Sequence, residues 1–494
     1  MSQRRFAPIV PAVSIVLSLG LALVGACGGD DAPGEPGGSG GGLACDPGTA
    51  PVGGACVDID ECATDNGGCG DPTLFRCEDR EAAPPRCEFD PAMDYLALVE
   101  GVSFLEAGGA VPSAMVVHGD TAFPVALDAD GSAIVAAARV GEGRVVAYAH
   151  EAFLAEGFEG NDDRETLARN AVRWAGRKES PVVGLAPGLG ALANWLAVQG
   201  LTVIKDAAVA ALAEVDVFVT ATYEDRPAAE VAALESFVAA GGGLVTGGQA
   251  WSSADAFRPV ALAYPGNRLL APAGIVVTDR YAGMGKTELA AVAPGPLDHA
   301  TRALVRLAQH VTGEATLDLD SQRHGARTVG FAVDVLPIAL TDFFDEVVTI
   351  LAAASPPIPS EAWPIEPASM PIAALELHIE SKLARELPAS KVTAHAAAAD
   401  FPGEVPADAS ALVRTLSIDA SYTGRDERYA FAAARADVWR GTGLYARPGS
   451  VVGVKLDAAK ANKGLGVRIG AHSDELWHTE SWRRFPAIDR VDRL

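Results

Sequence analysis

All seven cysteines of this chain lie at or before residue 87, and the 407 residues beyond contain none. That partition excludes a cysteine nucleophile or a thiolate metal site from everything after residue 87. Six of the seven, Cys45, Cys56, Cys62, Cys69, Cys77 and Cys87, crowd into a short loop-rich stretch. An even number in such a stretch reads as three disulfides, with 15 pairings open on arithmetic alone, and implies an oxidising compartment.

The first residues agree with export. Arg4 and Arg5 precede an apolar run from Ala12 to Ala26, about 15 residues, which suits a signal-peptide core and is short for a membrane-spanning helix. The run ends Leu23-Val24-Gly25-Ala26-Cys27, which resembles a bacterial lipobox. The resemblance implies a signal peptide over 1–26 and a lipid on Cys27. Residues 28–42 hold eight glycines among Asp, Glu, Pro and Ser, so 27–43 reads as a flexible tether. The expected place is the bacterial cell envelope, anchored through lipid only. Gly28 after Cys27, in place of a retaining aspartate, favours the outer membrane facing outwards. A formal net charge of −25 repels phosphate backbones, so nucleic acid is not an expected partner.

Asp58-Ile59-Asp60-Glu61-Cys62 resembles the opening of a calcium-binding epidermal growth factor-like module. Calcium takes hard oxygen ligands, and the resemblance makes Asp58, Glu61 and Asp79 its ligands. It also implies the pairs Cys62–Cys77 and Cys69–Cys87, with Cys45–Cys56 closing a half-module ahead. The module, residues 44–90, departs from the pattern: it lacks the last two cysteines, and Ala82-Ala83-Pro84-Pro85 stands where a Gly-Ser-aromatic turn is usual.

From 91 to 310 aliphatic strands alternate with Ala-rich helices. Strands are expected at Ala114–Val117, at Ala133–Val140 and Arg144–Ala149 joined by a turn at Gly141-Glu142-Gly143, and at Pro181–Leu185, Leu201–Ile204, Val215–Thr220 and Gly243–Thr246. Helices are expected at Leu189–Gln199, Ala207–Ala213 and Arg226–Ala240. Such alternation argues for βαβ units and a flavodoxin-like parallel sheet. Three motifs in this stretch mimic active sites. Gly188-Leu189-Gly190 with Asp206 imitates a dinucleotide fingerprint but is read as a turn that packs a helix, so no nucleotide cofactor is expected. Gly283-Met284-Gly285-Lys286-Thr287 ends like a phosphate loop, yet Arg280 stands where the first glycine is needed. His150-Glu151 starts a zinc motif that Leu154 breaks, which leaves His150 as a strand-end hydrogen bonder.

By strand order this domain resembles the class I glutamine amidotransferase-like fold. The turn that carries the family's cysteine reads Gly247-Gly248-Gln249-Ala250-Trp251 here, and no Gly-x-Ser-x-Gly elbow is present, so the domain reads as catalytically silent. Phe123-Pro124, Gly141–Val146, His150-Glu151 and Gly266-Asn267-Arg268-Leu269-Leu270 also resemble the N-terminal half of TRP-channel-associated factors and their bacterial relatives.

Residues 311–430 read as a helical and Pro-rich connector, with helices at Asp342–Ala354 and along the Ile372, Leu375, Ile379, Leu383, Leu387 stripe. His378 on that second helix reads as a solvated polar edge. In 431–494, Trp439–Gly449, Val451–Leu456, Leu465–Ile469 and Arg484-Phe485-Pro486 resemble the β-sandwich that opens the enhancin-like zinc metallopeptidases, peptidase family M sixty. The stretch is expected to be the incomplete start of that antiparallel sandwich. Many members act on mucin-type glycoproteins, and the family holds zinc with His-Glu-x-x-His plus a distant glutamate. None of the nine histidines here forms such a pair, and His472 and His478, six apart, read as rim residues. The expected protein is therefore a surface lipoprotein of that family, inactive as it stands, the front part of a longer member, with a glycoprotein or glycan as partner. The alternatives are a non-catalytic glycan- or protein-binding lipoprotein, and an amidotransferase-type hydrolase with a nucleophile other than cysteine.

Overall fold

The structure, a computed structural model, describes residue 45 and residues 49–494, apart from 53–54, 70–71, 73, 81–82, 107, 159, 161, 254–258, 339–340, 354–357, 401–404, 407, 420–438, 462, 471–474 and 488. Cys27, the signal segment and the tether lie outside the described residues. Two compact units are distinguished. Of the described residues, one holds Cys45 and Thr49–Glu61 with Asp79–Pro85; the other holds Cys62–Glu78 with Arg86–Leu494.

In the first unit, β1 (Thr49–Val52) and β2 (Ala55–Asp58) form an antiparallel ladder closed by the Cys45–Cys56 disulfide. The second unit contains the other two disulfides, Cys62–Cys77 and Cys69–Cys87. The strands β3 (Phe75–Arg80) and β4 (Ala83–Phe89) form a two-stranded sheet. Its base packs into the core of the second unit: Phe89 is buried, with its ring 6.1 Å from that of Phe123.

Next come α1 (Ala92–Val99), β5 (Phe104–Glu106), β6 (Ser113–Val117), β7 (Ala122–Leu127), β8 (Ala133–Val140) and β9 (Gly143–Tyr148). Then follow α2 (Ala152–Ala155), α3 (Asp163–Gly176), β10 (Val182–Leu185), α4 (Gly190–Val198) and β11 (Thr202–Ile204). After them are β12 (Val217–Ala221), α5 (Ala228–Ala239), β13 (Gly243–Gly247), α6 (Val260–Ala263), α7 (Asn267–Leu270), β14 (Ile275–Tyr281) and β15 (Lys286–Glu288).

Nine of these strands make one sheet in the order β11-β10-β12-β13-β9-β8-β6-β14, with β7 also paired to β8. The first five run parallel, as the alternation of strand and helix predicts. The parallel pairing ends at β9, beyond which β8, β6, β7 and β14 pair antiparallel. The reason is local: Gly141-Glu142-Gly143 is a hairpin turn, and a hairpin can join only antiparallel neighbours. Ala207–Ala213, expected to be α-helical, is a 3-10 turn over Val209–Glu214. Helices cover both faces of the parallel half. A Cβ on Gly243 would lie 2.9 Å from that of Ala175 in α3, and one on Gly143 would lie 2.0 Å from the carbonyl oxygen of Val238 in α5.

The caps are written in sequence. Asp162 accepts the Glu165 N–H at 2.9 Å, and Glu165 accepts the Asp162 N–H at 3.1 Å, a capping box that starts α3. A buried salt bridge ties three elements together: Arg139 of β8 grips Asp94 of α1 through two bonds of 2.6 and 2.7 Å, and the Trp174 indole of α3 donates to the same carboxylate at 2.9 Å.

A helical unit follows: α8 (Ala300–Thr312), α9 (Leu319–Val335), α10 (Thr341–Ala353) and α11 (Pro371–Glu386). Leu304, Leu307, Val329, Val333, Phe343 and Leu375 make its core and pack against Val116 and Val276 of the sheet. His378 lies on a partly exposed polar edge, where it bonds Asp334 of α9 at 2.7 Å and meets the Trp477 ring at 5.0 Å. In the tail, β16 (Gly466–Ile469) pairs antiparallel with β17 (Arg490–Arg493). Val451–Leu456 adopts no strand, so among the described residues the sandwich start is this one ladder. The Arg484-Phe485-Pro486 motif anchors the tail to α11: Phe485 is buried with Trp482, Leu377 and Ala374.

Candidate functional site

In open α/β sheets, ligands bind beyond the carboxyl ends of the parallel strands, where the strand order reverses. Here that edge is formed by the ends of β10, β12, β13 and β9, followed by the loops at 186–189, 222–227, 248–251 and 149–151. Tyr264 enters it from the turn after α6 and is fully buried. Its hydroxyl lies 2.7 Å from Thr222 Oγ1 in a hydrogen bond, and Thr222 Oγ1 also donates to the Gly247 carbonyl at 3.3 Å. Burial, reinforced by the nearby Glu151 charge, pushes the Tyr264 phenol well above its usual range, against the opposing effect of the Thr222 bond. The phenol is therefore neutral and serves as a packing and hydrogen-bonding group.

The crevice is closed. A Cβ on Gly248 would stand 2.2 Å from the Tyr264 oxygen and 2.4 Å from Thr222 Oγ1, and one on Gly266 would meet the Tyr264 ring at 2.5 Å. These glycines are needed because a side chain at either position would collide with the phenol or the Thr222 hydroxyl. Tyr223 donates to Gln249 across the same edge, and the Ala250 N–H donates to Ser113 Oγ at 2.9 Å. His150 Nδ1 accepts the Ala152 N–H at 3.1 Å and lies 2.9 Å from Glu151 Oε2, a strand-end contact.

The two nucleotide look-alikes have structural roles. Gly188 carries a φ of +90°, which a turn between β10 and α4 demands, whereas a Cβ on Gly190 would meet nothing within 4 Å. Lys286 opens the short strand β15 rather than a helix, and its ammonium sits 3.6 Å from the Phe104 ring centroid. Asn267 accounts physically for the Gly266–Leu270 run. Buried, it donates to the Ala261 and Val277 carbonyls and accepts the Val277 N–H at 2.9 Å, bracing α7 against β14. Sequence reasoning missed Tyr264; the glycines at 248 and 266 that make room for it were its only local signal.

The first unit brings together the carboxylates singled out from sequence. Glu61 shares a hydrogen bond with Asp79 and feels the charges of Asp79 and Asp58. Desolvation first, then these neighbours, raise its pKa above the ordinary carboxylate value. Carboxylate oxygens of Asp60 and Asp79 approach within 4.8 Å of one another. All three disulfides join the cysteines as the growth-factor-like resemblance implies.

A family zinc site requires two imidazoles one helical turn apart. Among the described residues no clustered group of potential ligands contains a histidine. His299 bonds the Gly119 carbonyl, His310 the Leu317 N–H, His324 Asp298, His378 Asp334 and His395 Glu380, while His478 is exposed. These residues do not fit zinc. His472 lies outside the described residues.

Residues 82–292 match the family model described as the TRPM8 N-terminal domain, and residues 420–492 match that of the N-terminal domain of M60-like peptidases. Human TRPM8 channel-associated factor 2 is 30% identical over 436 residues, covering 82% of this chain and 43% of its own length. The zebrafish (Danio rerio) TRPM8 channel-associated factor homolog is 29% identical over 405 residues, covering 79% of this chain and 41% of its own. The chain resembles TRPM8 channel-associated factors. It spans less than half the length of the curated relatives it matches. Its structure also aligns with IMPa from Pseudomonas aeruginosa in complex with an O-glycopeptide, over 61% of this chain and 40% of that one, at 12% identity and a TM-score of 0.39. The TRPM8-factor-like match begins in the disulfide-rich strands and ends past β15, so it takes in the whole nine-stranded sheet. The M60-like match falls on the tail that α11 anchors.

Proposed function

We propose that this chain is a recognition scaffold of an M60-like, glycoprotein-directed protein at the bacterial cell surface, held there by a lipid on Cys27. The residues described here are the non-catalytic part of that machinery. One observation carries the reading: a TRPM8-factor-like domain is followed by an M60-like N-terminal domain, in that order, in a chain whose Tyr264 is buried over the ends of β12 and β13. The histidines support it, since those in the folded core are committed to internal partners. The disulfides support export, because three of them persist only in an oxidising compartment.

Calcium belongs to the same reading. Glu61, Asp79 and Asp58 form a carboxylate group whose mutual repulsion a hard divalent cation would relieve.

The test is binding and cleavage measured together. Purified protein is incubated with an O-glycosylated mucin and with its deglycosylated form, with and without chelator, and its zinc content is measured. Retention on the glycosylated form without cleavage and without stoichiometric zinc is expected. Chelator-sensitive cleavage refutes the non-catalytic reading, and equal retention on both forms refutes glycan recognition.

A further inference from the structure

We infer that the joint between the nine-stranded sheet and the α8–α11 helices is an acid-released clasp whose proton-sensitive part is His299. The residue is buried at 1% exposure and caps α8. Its Nδ1 accepts the Arg302 N–H at 3.2 Å, and its Nε2 lies 2.9 Å from the Gly119 carbonyl oxygen. A carbonyl only accepts, so Nε2 must donate; Nδ1 must then be the bare nitrogen. Only a neutral imidazole satisfies both bonds.

Beside the apolar packing of Val116 and Val276 on these helices, two further polar contacts of the joint lie within three residues of this ring. Thr301 Oγ1 donates to the His118 carbonyl at 2.7 Å, and Arg302 donates to the Asp120 carbonyl at 2.8 Å. Beneath them the backbone of Gly119 crosses that of Gly274 so closely that a Cβ on either would lie within 2.7 Å of the other's Cα. The disulfide-braced β4 reaches the same place: the Arg302 guanidinium lies 5.5 Å from the Phe89 ring centroid, and Arg306 pairs with Glu88 at 3.3 Å.

Proton uptake by His299 would set an N–H against the Arg302 N–H at the positive end of α8. The charged and titratable groups around it offer no relief. From α8 the Arg302 cation opposes it, and from the loop after β6 so does His118. Asp120 of that loop, and Glu88 and Asp90 of the disulfide-braced segment, act on Arg302 instead. Asp298, next in sequence, is taken by His324 of α9 at 2.7 Å. Burial, and then Arg302, hold the His299 pKa well below its ordinary value, in keeping with this geometry. The joint therefore opens to take up the proton, and acid detaches the start of α8 from the sheet.

Hydrogen exchange of the full chain, read by mass spectrometry and corrected for the intrinsic pH dependence, tests this. Opening in peptides covering 118–122 and 299–307 should rise about tenfold per pH unit below about 6.5, one proton per opening event, while α5 stays protected. His299→Asn keeps a cap without a titrating ring and should flatten the rise; His118→Asn should leave it in place. A flat wild-type profile, or an unchanged rise in H299N, overturns the proposal. Should H299N not fold, nitrogen shifts of labelled histidine in the wild type decide. His299 must stay in the neutral Nε2–H form down to pH 5, and ordinary titration near 6.5 in the folded state overturns the inference.

Discussion

Replacing Asp94 with alanine removes the acceptor that three donors share across α1, β8 and α3. Its carboxylate is 4% exposed and takes two bonds from Arg139 and one from the Trp174 indole. The variant leaves the Arg139 cation unpaired in the interior, beside Arg144, whose pKa is already lowered, first by burial and then by Arg139. Breaking a buried ion pair from one side costs about 3–5 kcal/mol, and an orphaned buried donor about 1–3. The Arg139 side chain is 24% exposed, which lets water reach part of the guanidinium and moves the sum towards the low end. A loss of about 3 kcal/mol is expected, which at a urea slope of about 2 kcal/mol/M lowers the unfolding midpoint by about 1.5 M. Asp94→Leu with Arg139→Met removes both charges and should recover most of that loss, leaving about 1 kcal/mol for the indole. Urea unfolding followed by tryptophan fluorescence measures all three proteins. If D94A moves the midpoint by less than about 0.5 M, or the double variant is no better than the single, the ion pair does not carry the stability assigned to it.

The closed crevice predicts unequal glycines: Gly248→Ala, which meets Tyr264 and Thr222, should cost more than about 2 kcal/mol. Gly190→Ala, which meets nothing, should stabilise α4 by about 0.5 kcal/mol in the same unfolding assay. Removing the Cys69–Cys87 disulfide as a double alanine variant should cost about 3 kcal/mol, from the closure of an 18-residue separation, and should raise protease nicking near Glu88. In the first unit, calcium should slow proteolysis of Thr49–Glu61, and Glu61→Gln should abolish the effect. Because the Glu61 pKa is raised, its contribution to the fold is complete below the ordinary glutamate value and is lost as pH rises through the folded one. Without calcium the unit should therefore loosen as Glu61 ionises, and added calcium should reverse that loosening, as read by exchange across β1 and β2.

What the sequence determined by itself was whatever depends on short-range pattern. Confining the cysteines to residues 45–87 among the described ones fixed where the disulfides could form, and runs such as Val182–Leu185 and Gly243–Thr246 can only be buried strands. The Ile372–Leu387 stripe identified α11, because a helix repeats its buried face every three or four residues. In α9 histidine, arginine and glycine interrupt the buried stripe, whereas α8 carries a regular one at Ala300, Ala303, Leu304 and Leu307; their partners lie on each other and on the sheet. Tertiary structure alone decided the pairing of β14 with β6, the grip of Arg139 on Asp94 from 45 residues away, and the placing of Tyr264 over Thr222 from 42. Each joins groups far apart in the chain, and no local spacing encodes which of many distant partners will share a desolvated interior. Packing made that choice, and the same packing set Tyr264 against Gly248 and Gly266.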